Sequence, residues 1–372
     1  MMRRMISHDD IRVLDPDSIE TPAMVVFEHR VDVNIRDLCE LAGAENLAAH
    51  VKTTKSIDVI RKQVAAGIVV MKAATLSELE TAVAAGCHTA ILAYPILQSR
   101  KAKRLVRLAV ANRGVDVVAV VGQLAHVGVL SAAAGAASAT LPVMLDLNVG
   151  MHRTGHDADA VGLEIYRAIA ADANLVPAGL HAYDGQDHAS DPDERERLAM
   201  AHVEDVKVFR KQLTDAGLSV PLVVGGGSYS FPYYAREEGM LGSPGTTVYW
   251  DAGYQAQMPE LTFRPAAMVL TQVIDRHPDQ GTVTLDLGSK AISADGPLEN
   301  RVRFLGYQNV DAIMQSEEHG VFRFADHGPE LGDYLLAVPV HVCPTTTRYP
   351  GSHVIDADGV VCGFWPHTAR DR

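Results

Sequence analysis

Cysteine, long apolar runs and basic charge are all in short supply in this chain, and each shortage closes off a class of protein. Four cysteines stand in 372 residues, and Cys39, Cys87, Cys343 and Cys362 follow no framework spacing. A chain this long needs no disulfide staples, so the reading is a reduced, cytoplasmic compartment. No apolar run approaches the roughly 20 residues that cross a bilayer. The opening "MMRRMISHDDIRVLD" has an arginine pair but no apolar block behind it, so it does not read as a secretory signal. Lys and Arg number 33 against 46 Asp and Glu, a net charge of −13. That balance argues against nucleic acid and against anionic membrane surfaces as partners. Internal repeats of about 20–50 residues and low-complexity segments are also missing. What remains, 47% hydrophobic and 21% charged residues, is ordinary for a soluble globular protein with room for two domains.

What is present is an alternation. From about residue 45 to 250, short apolar or β-branched runs trade places with alanine-rich amphipathic stretches. The runs are "NLAAHV" (46–51), "IVVMKA" (68–73), "TAILAY" (89–94), "VDVVAVV" (115–121), "LPVMLDL" (141–147), "VPAGLHAY" (176–183), "PLVVGG" (221–226) and "GTTVYW" (245–250). Between them, "SIDVIRKQVAAG", "TLSELETAVAAG" and "QSRKAKRLVRLAVAN" read as helices, several closed by Gly or Asn. "TLSELE" has the Thr and Glu of a capping box. Strands alternating with helices imply parallel βαβ units, and eight runs imply a (β/α)8 barrel, with an open doubly wound sheet as the alternative. "TPAMVVF" and a helix across "VDVNIRDLCELAG" precede it. After about residue 260 the helical spacing stops. "AAMVLTQVIDR", "GTVTLDLG", "VRFLGY", "GVFRFAD", "YLLAVPVHVC" and "SHVIDADGVVCGFW" read as strands of a mostly antiparallel β domain. The expected division is a barrel over 20–255 and a β domain over 256–372, joined by residues 1–19.

Barrel enzymes carry their chemistry at the C-terminal ends of the strands. The first run ends "AHVKTTKS", which puts Lys52 at a strand tip, where burial favours a nucleophilic amine; a surface lysine is the plain alternative. Lys55, at the start of the next helix, suits solvent or a phosphate. The fifth run ends "LDLNVGMHRTG", with Asp146, Asn148 and Arg153 at its tip, and an arginine there suits an anionic oxygen. The sixth ends "HAYDGQDH", with His181, Tyr183 and Gln186; Tyr183 can face a flat ring or fill the core. The seventh ends "VVGGGSYS", and Gly227 and Ser228, with Gly245 and Thr246 opening the eighth run, suit a phosphate held by backbone N–H groups. A lysine nucleophile, an arginine and a phosphate cup together suit pyridoxal 5′-phosphate, which has an aldehyde, a phenolate and a phosphate.

"HVKTTKS", "LDLNVGMHRTG", "GGGSYS", "PGTTVYWDAGY", "LDLGSKAISADGP", "SEEHG" and "VPVHVCPTTT", in that order, resemble the D-threonine aldolase and D-serine dehydratase family. The resemblance implies an alanine racemase-like fold, pyridoxal phosphate in the barrel and a homodimer. It makes Lys52 the Schiff-base lysine and Arg153 the contact to the phenolate oxygen. Gly227, Ser228, Gly245 and Thr246 become the phosphate cup, Tyr183 an aromatic beside the cofactor, and His341 with Cys343 a divalent metal pair. Two departures bear on substrate choice: Thr54 stands where the family more often has His, and "HAYDGQDH" is not the common form of that loop.

His341 and Cys343 face one side if "VPVHVC" continues as a strand, and imidazole with thiolate suits Zn²⁺; Mn²⁺ and Mg²⁺ are the alternatives. By the same resemblance a His-x-Cys pair belongs to dehydratases and a His-x-Asp pair to aldolases. The expectation is therefore a lyase that converts a D-3-hydroxy amino acid, of the D-serine or 3-hydroxy-D-aspartate type, to a keto acid and ammonia. The alternative is retro-aldol cleavage to glycine and an aldehyde. A non-catalytic carrier of the cofactor and an amino-acid racemase are further readings, the first disfavoured by the β domain and the metal pair. Lys52 is the expected base at Cα, and His319 in "SEEHG" can approach the metal or the substrate hydroxyl or serve structurally. Lys290 and Asp295 stay equally open.

Overall fold

The computed structural model describes residues 6–325 and 328–372. The chain divides into two compact units, Met1–Asp37 with Thr53–Val59 and Thr246–Arg370, and Leu38–Lys52 with Ile60–Gly245 and Asp371–Arg372.

The second of these is the parallel barrel. Its strands are β1 (Ala48–His50), β2 (Val70–Ala73), β3 (Thr89–Leu92), β4 (Asp116–Val121), β5 (Leu141–Leu147), β6 (Leu175–Ala182), β7 (Val223–Gly225) and β8 (Met240–Gly242). Each pairs in parallel with the next. A parallel bridge from Leu47 to Gly242 and a bond from the His50 N–H to the Pro244 carbonyl (2.8 Å) bring the first and last strands together. Helices fill the connections, as the 3.6-residue spacing requires. In the one at Leu76–Ala84, Thr75 caps by accepting the Glu78 N–H. Glu78 reaches back to the Ala74 N–H, one residue short of a capping box.

Seven of the eight expected strands form where the apolar runs lie. The eighth does not. Residues 245–250 are turns, with bonds from the Tyr249 and Trp250 N–H groups to the Thr246 carbonyl and a left-handed Trp250. The short run Met240–Gly242 pairs with β7 instead. Gly245 and Thr246 therefore follow the last barrel strand rather than opening it.

The other unit is built on Ala267–His277, which pairs antiparallel with Tyr334–Pro339, Ala23–Phe27 and, past a bulge at Val273, Thr282–Leu285. The segment preceding the barrel, Ala23–Phe27, is thus a strand of this sheet, and it also runs parallel to Gly351–Ile355. The hairpin Gly351–Ile355 and Val361–Pro366 and the strands Val302–Phe304 and Gly320–Phe324 lie where the run of turns and β-branched residues puts them. Of the run 320–326, Asp326 lies outside the described residues. Val310–Gln315, paired with Gly320–Phe324, is a further strand outside the runs named above; Val310, Ala312, Ile313 and Met314 are apolar, yet none of its side chains is buried. Ile11, Val13, Val25, Phe27, Met268, Leu270, Leu336 and Ile355 form the core of this unit. No helix among the described residues is long and apolar enough to cross a membrane.

Candidate active site

The barrel interior changes character within one layer of side chains. Ala48, Val70, Met144 and Val224, on β1, β2, β5 and β7, belong to an apolar plug with Ile91, Val118, Val120 and Leu241. Two residues further along a strand, the same face of the sheet recurs. Those positions are His50, Lys72, Asp146 and Gly226. A polar layer therefore caps the apolar one at the C-terminal ends of the strands.

Lys52 sits just past β1, half-buried, its backbone N–H donating to His50 Nδ1 (3.3 Å). Three cations approach one aromatic ring. The Lys52 Nζ is 5.8 Å, the Lys72 Nζ 5.6 Å and the Arg153 guanidinium carbon 4.8 Å from the Tyr183 ring centroid. Lys72 is only 2% exposed. Burial lowers its pKa to about 7; the positive charges of Lys52 and Arg153 push the same way, against the pull of Asp184 and Asp146. Beside it, His181 Nδ1 and Asp146 Oδ1 are 2.6 Å apart, both residues buried. Burial pushes the imidazole pKa below its ordinary range, against the pull of Asp146. Burial opposes the Asp146 charge too, but His181, Thr154 and Lys72 outweigh it and keep the carboxyl low. His181 Nε2 is buried without a partner among the described residues.

The three glycines that close and follow β7 answer three separate demands. A Cβ on Gly225 would lie 2.1 Å from the Tyr234 ring. Gly226 has φ +75°, a left-handed backbone that side chains resist. A Cβ on Gly227 would meet Tyr183 at 2.9 Å, and one on Gly245 would come within 3.6 Å of Lys52 Cε. The Gly245 N–H donates to Ser228 Oγ (3.2 Å). Gly227, Ser228 and Gly245 thus gather beside Lys52 and Tyr183, and Thr246 is the next residue in the chain. Cations and bare backbone around an aromatic, with an unsatisfied imidazole nitrogen below, fit an anionic aromatic cofactor of the pyridoxal phosphate kind.

In the other unit the expected strand geometry of His341 and Cys343 gives way. The strand ends at Pro339, and His341 is the N-cap residue of a one-turn helix, Val342–Thr346. The turn is imposed from a distance. Asp251, fully buried, accepts the Val342 N–H (3.0 Å) and caps its own helix through the Tyr254 N–H (2.9 Å). Burial raises the Asp251 carboxyl to about 6 against the pull of those N–H groups and of His341. The His341 Nδ1 is 2.5 Å from Asp295 Oδ2, and Asp295 also accepts from Ser293 Oγ. Burial works against charge on His341, but hydrogen bonding and attraction from Cys343 and Asp295 more than offset it, leaving a pKa of about 9. Cys343 Sγ lies 3.1 Å from Thr53 Oγ1 and 3.7 Å from Thr246 Oγ1. Thr53 follows Lys52 in the chain. Among the described residues, no group of three or more His, Cys, Asp or Glu is placed to hold a metal ion. The donor chemistry of the pair still fits one: a ring nitrogen engaged by a carboxylate leaves the other free to ligate, and the thiol is in hydrogen-bond reach of the same imidazole.

Other sequence candidates fall elsewhere. His319 is exposed at the turn of the Val310–Gln315 and Gly320–Phe324 hairpin, and its side chain makes no hydrogen bond or ion pair among the described residues. Lys290 is exposed and paired with Glu317 at 2.8 Å. Lys55, expected toward solvent or a phosphate, is buried with a left-handed backbone. Sequence reasoning did not single out Lys72, Asp251 or Thr53. A lysine inside the apolar run "IVVMKA" was the available signal for the first.

Residues 28–252 match the family model "Alanine racemase, N-terminal domain", and residues 266–355 match "Putative serine dehydratase domain". The chain is 28% identical to a 3-hydroxy-D-aspartate aldolase of Paracoccus denitrificans (strain Pd 1222), over 96% of this chain and 94% of that one. A D-threonine aldolase from Filomicrobium marinum superposes with a TM-score of 0.87 at 27% identity, covering 95% and 96% of the two chains. D-threo-3-hydroxyaspartate dehydratase from Delftia sp. HT23 superposes at 0.83 with 25% identity, covering 95% and 98%. A cysteine-to-alanine mutant of a D-threo-3-hydroxyaspartate dehydratase has been solved in a metal-free form.

Proposed function

The chain belongs to the alanine racemase N-terminal domain family, and from that premise we propose that it is a pyridoxal phosphate- and divalent metal-dependent lyase acting on D-3-hydroxy amino acids, foremost as a dehydratase. The observation that carries the reading is the pairing of Cys343 with a carboxylate-backed His341, next to a threonine that adjoins Lys52 in the chain.

Lys52 would hold the cofactor's aldehyde carbon, Arg153 would face its phenolate oxygen, and the backbone of Gly227, Ser228, Gly245 and Thr246 would bind its phosphate. Tyr183 would lie beside the ring. When bound, pyridoxal phosphate supplies an electron sink for charge developing at the substrate Cα. Lys52 would also serve as the general base that takes the substrate's Cα proton. His341 and Cys343 would hold Zn²⁺, with Mn²⁺ or Mg²⁺ as harder alternatives, and the ion would supply a Lewis acid for the β-hydroxyl. Asp295 keeps the His341 ring oriented. Loss of the hydroxyl then leads to a keto acid and ammonia.

The second reading, cleavage of Cα–Cβ to glycine and an aldehyde, is supported by the aldolase relatives. Product identity separates the two. Protein loaded with pyridoxal phosphate and zinc is incubated with a panel of D- and L-3-hydroxy amino acids, and keto acid, ammonia, glycine and aldehyde are quantified. Keto acid with equimolar ammonia from the D-isomers supports dehydration; glycine without ammonia transfers the assignment to aldol cleavage; no product from any member removes both. The companion expectation is that borohydride reduction of the loaded wild type leaves the pyridoxyl group on Lys52; a wild type labelled elsewhere removes that assignment. Four cysteines without a disulfide support the cytoplasmic reading, and a homodimer is the assembly carried with it.

A further inference from the structure

Lys72 has no part in the mechanism above, and its placement is hard to explain as packing. It lies on β2 two residues after Val70, so its stem points into the barrel above the apolar plug. It is 2% exposed, and it makes no hydrogen bond or ion pair among the described residues. Its Nζ stands 5.6 Å from the Tyr183 ring centroid, against 5.8 Å for Lys52. The two lysines thus address the same ring at the same range, one half-buried at the mouth, the other beneath. Facing Lys72 are Lys52, Arg153, Asp146 and Asp184 from three other elements. A buried lysine kept only for charge balance would be paired with one of those carboxylates. Asp146 is instead engaged by His181 and Asp184 by Ser230.

We propose that Lys72 is a second carbonyl-reactive amine of the barrel mouth, able to take the cofactor's aldehyde when Lys52 is absent. This rests on the pyridoxal phosphate reading. The amine is primed for it, because burial and the neighbouring cations bring its pKa to about 7 and leave much of it unprotonated at neutral pH. The Lys72 nitrogen bonds to the aldehyde carbon, its two protons and the carbonyl oxygen leave as water, and no oxidant or reductant is consumed. The consequence is practical as well as chemical. Surviving visible absorbance in Lys52→Ala would then come from Lys72 and would not by itself count against Lys52.

The test maps the linkage. Wild type, Lys52→Ala, Lys52→Gln, Lys72→Met and the double variants Lys52→Ala/Lys72→Met and Lys52→Ala/Lys72→Arg are loaded with pyridoxal phosphate, freed of excess, reduced with borohydride and digested for mass spectrometry. Circular dichroism checks that each is folded, and the glutamine variant stands in if the alanine variant is not. Wild type is expected to carry pyridoxyl on Lys52. Both Lys52 variants should carry it on Lys72, at least tenfold above any surface lysine, and both double variants should carry none there and lose the visible band. Label on Lys52 in wild type, with Lys72 no more labelled than surface lysines in the Lys52 variants, overturns this inference alone. A visible band that survives in Lys52→Ala/Lys72→Arg also overturns it, since arginine keeps the charge but cannot condense. A wild type labelled at neither lysine overturns the cofactor reading beneath it.

Discussion

Lys72→Met gives a stability prediction that needs no cofactor. The side chain is buried and its pKa falls from 10.5 to about 7 on folding. An amine whose folded pKa is depressed binds fewer protons when native than when unfolded, so native stability rises with pH between those values. Below pH 7 the full drop costs the folded state on the order of 4–5 kcal/mol, at about 1.4 kcal/mol per pKa unit. At pH 9 about 2 kcal/mol of that cost is left. The wild type should therefore gain about 2–3 kcal/mol over Lys72→Met between pH 6 and 9, since methionine fills similar space and does not titrate. Urea denaturation of both cofactor-free proteins at pH 6, 7, 8 and 9 measures the difference directly. A free-energy gap between the two that stays constant across that range would refute the argument, because it would mean Lys72 keeps its proton in the folded barrel.

Three other outcomes follow from the same geometry. Asp295→Ala removes the carboxylate behind His341 and should weaken zinc binding about 10- to 100-fold by calorimetry, with the melting temperature of the metal-free protein little changed. Asp251→Ala deletes an N-cap and the acceptor for the Val342 N–H together; a loss of about 2–4 kcal/mol in urea denaturation is expected, along with weaker zinc binding. An Asp251→Ala protein that binds zinc as tightly as wild type would show that the His341 turn does not depend on it. Gly226→Ala forces a side chain into a left-handed residue and toward Ser230 Oγ at 2.9 Å; about 1–3 kcal/mol of stability should go, with pyridoxal phosphate affinity falling in fluorescence titration.

The sequence by itself determined the alternation of strand and helix, because apolar β-branched runs and 3.6-residue spacing are local signals, and seven barrel strands stand where those runs are. Lys52, Arg153, Tyr183 and the glycine turn were also legible, since each marks the end of such a run. Tertiary structure decided what no local signal carries. "GTTVYW" is the more strand-like peptide, yet the barrel is completed by Met240–Gly242, because pairing with β7 is what selects the eighth strand. "VPVHVC" reads as one strand, yet it breaks after Pro339, because a carboxylate 91 residues away takes the Val342 N–H. Lys72 reads as one charge in an apolar run; only the closed ring sets which layer it occupies and leaves it beside Lys52, Arg153 and Asp146. Local sequence fixes the face on which a side chain stands, and the distant strands packed against that face fix its surroundings and, through them, its charge.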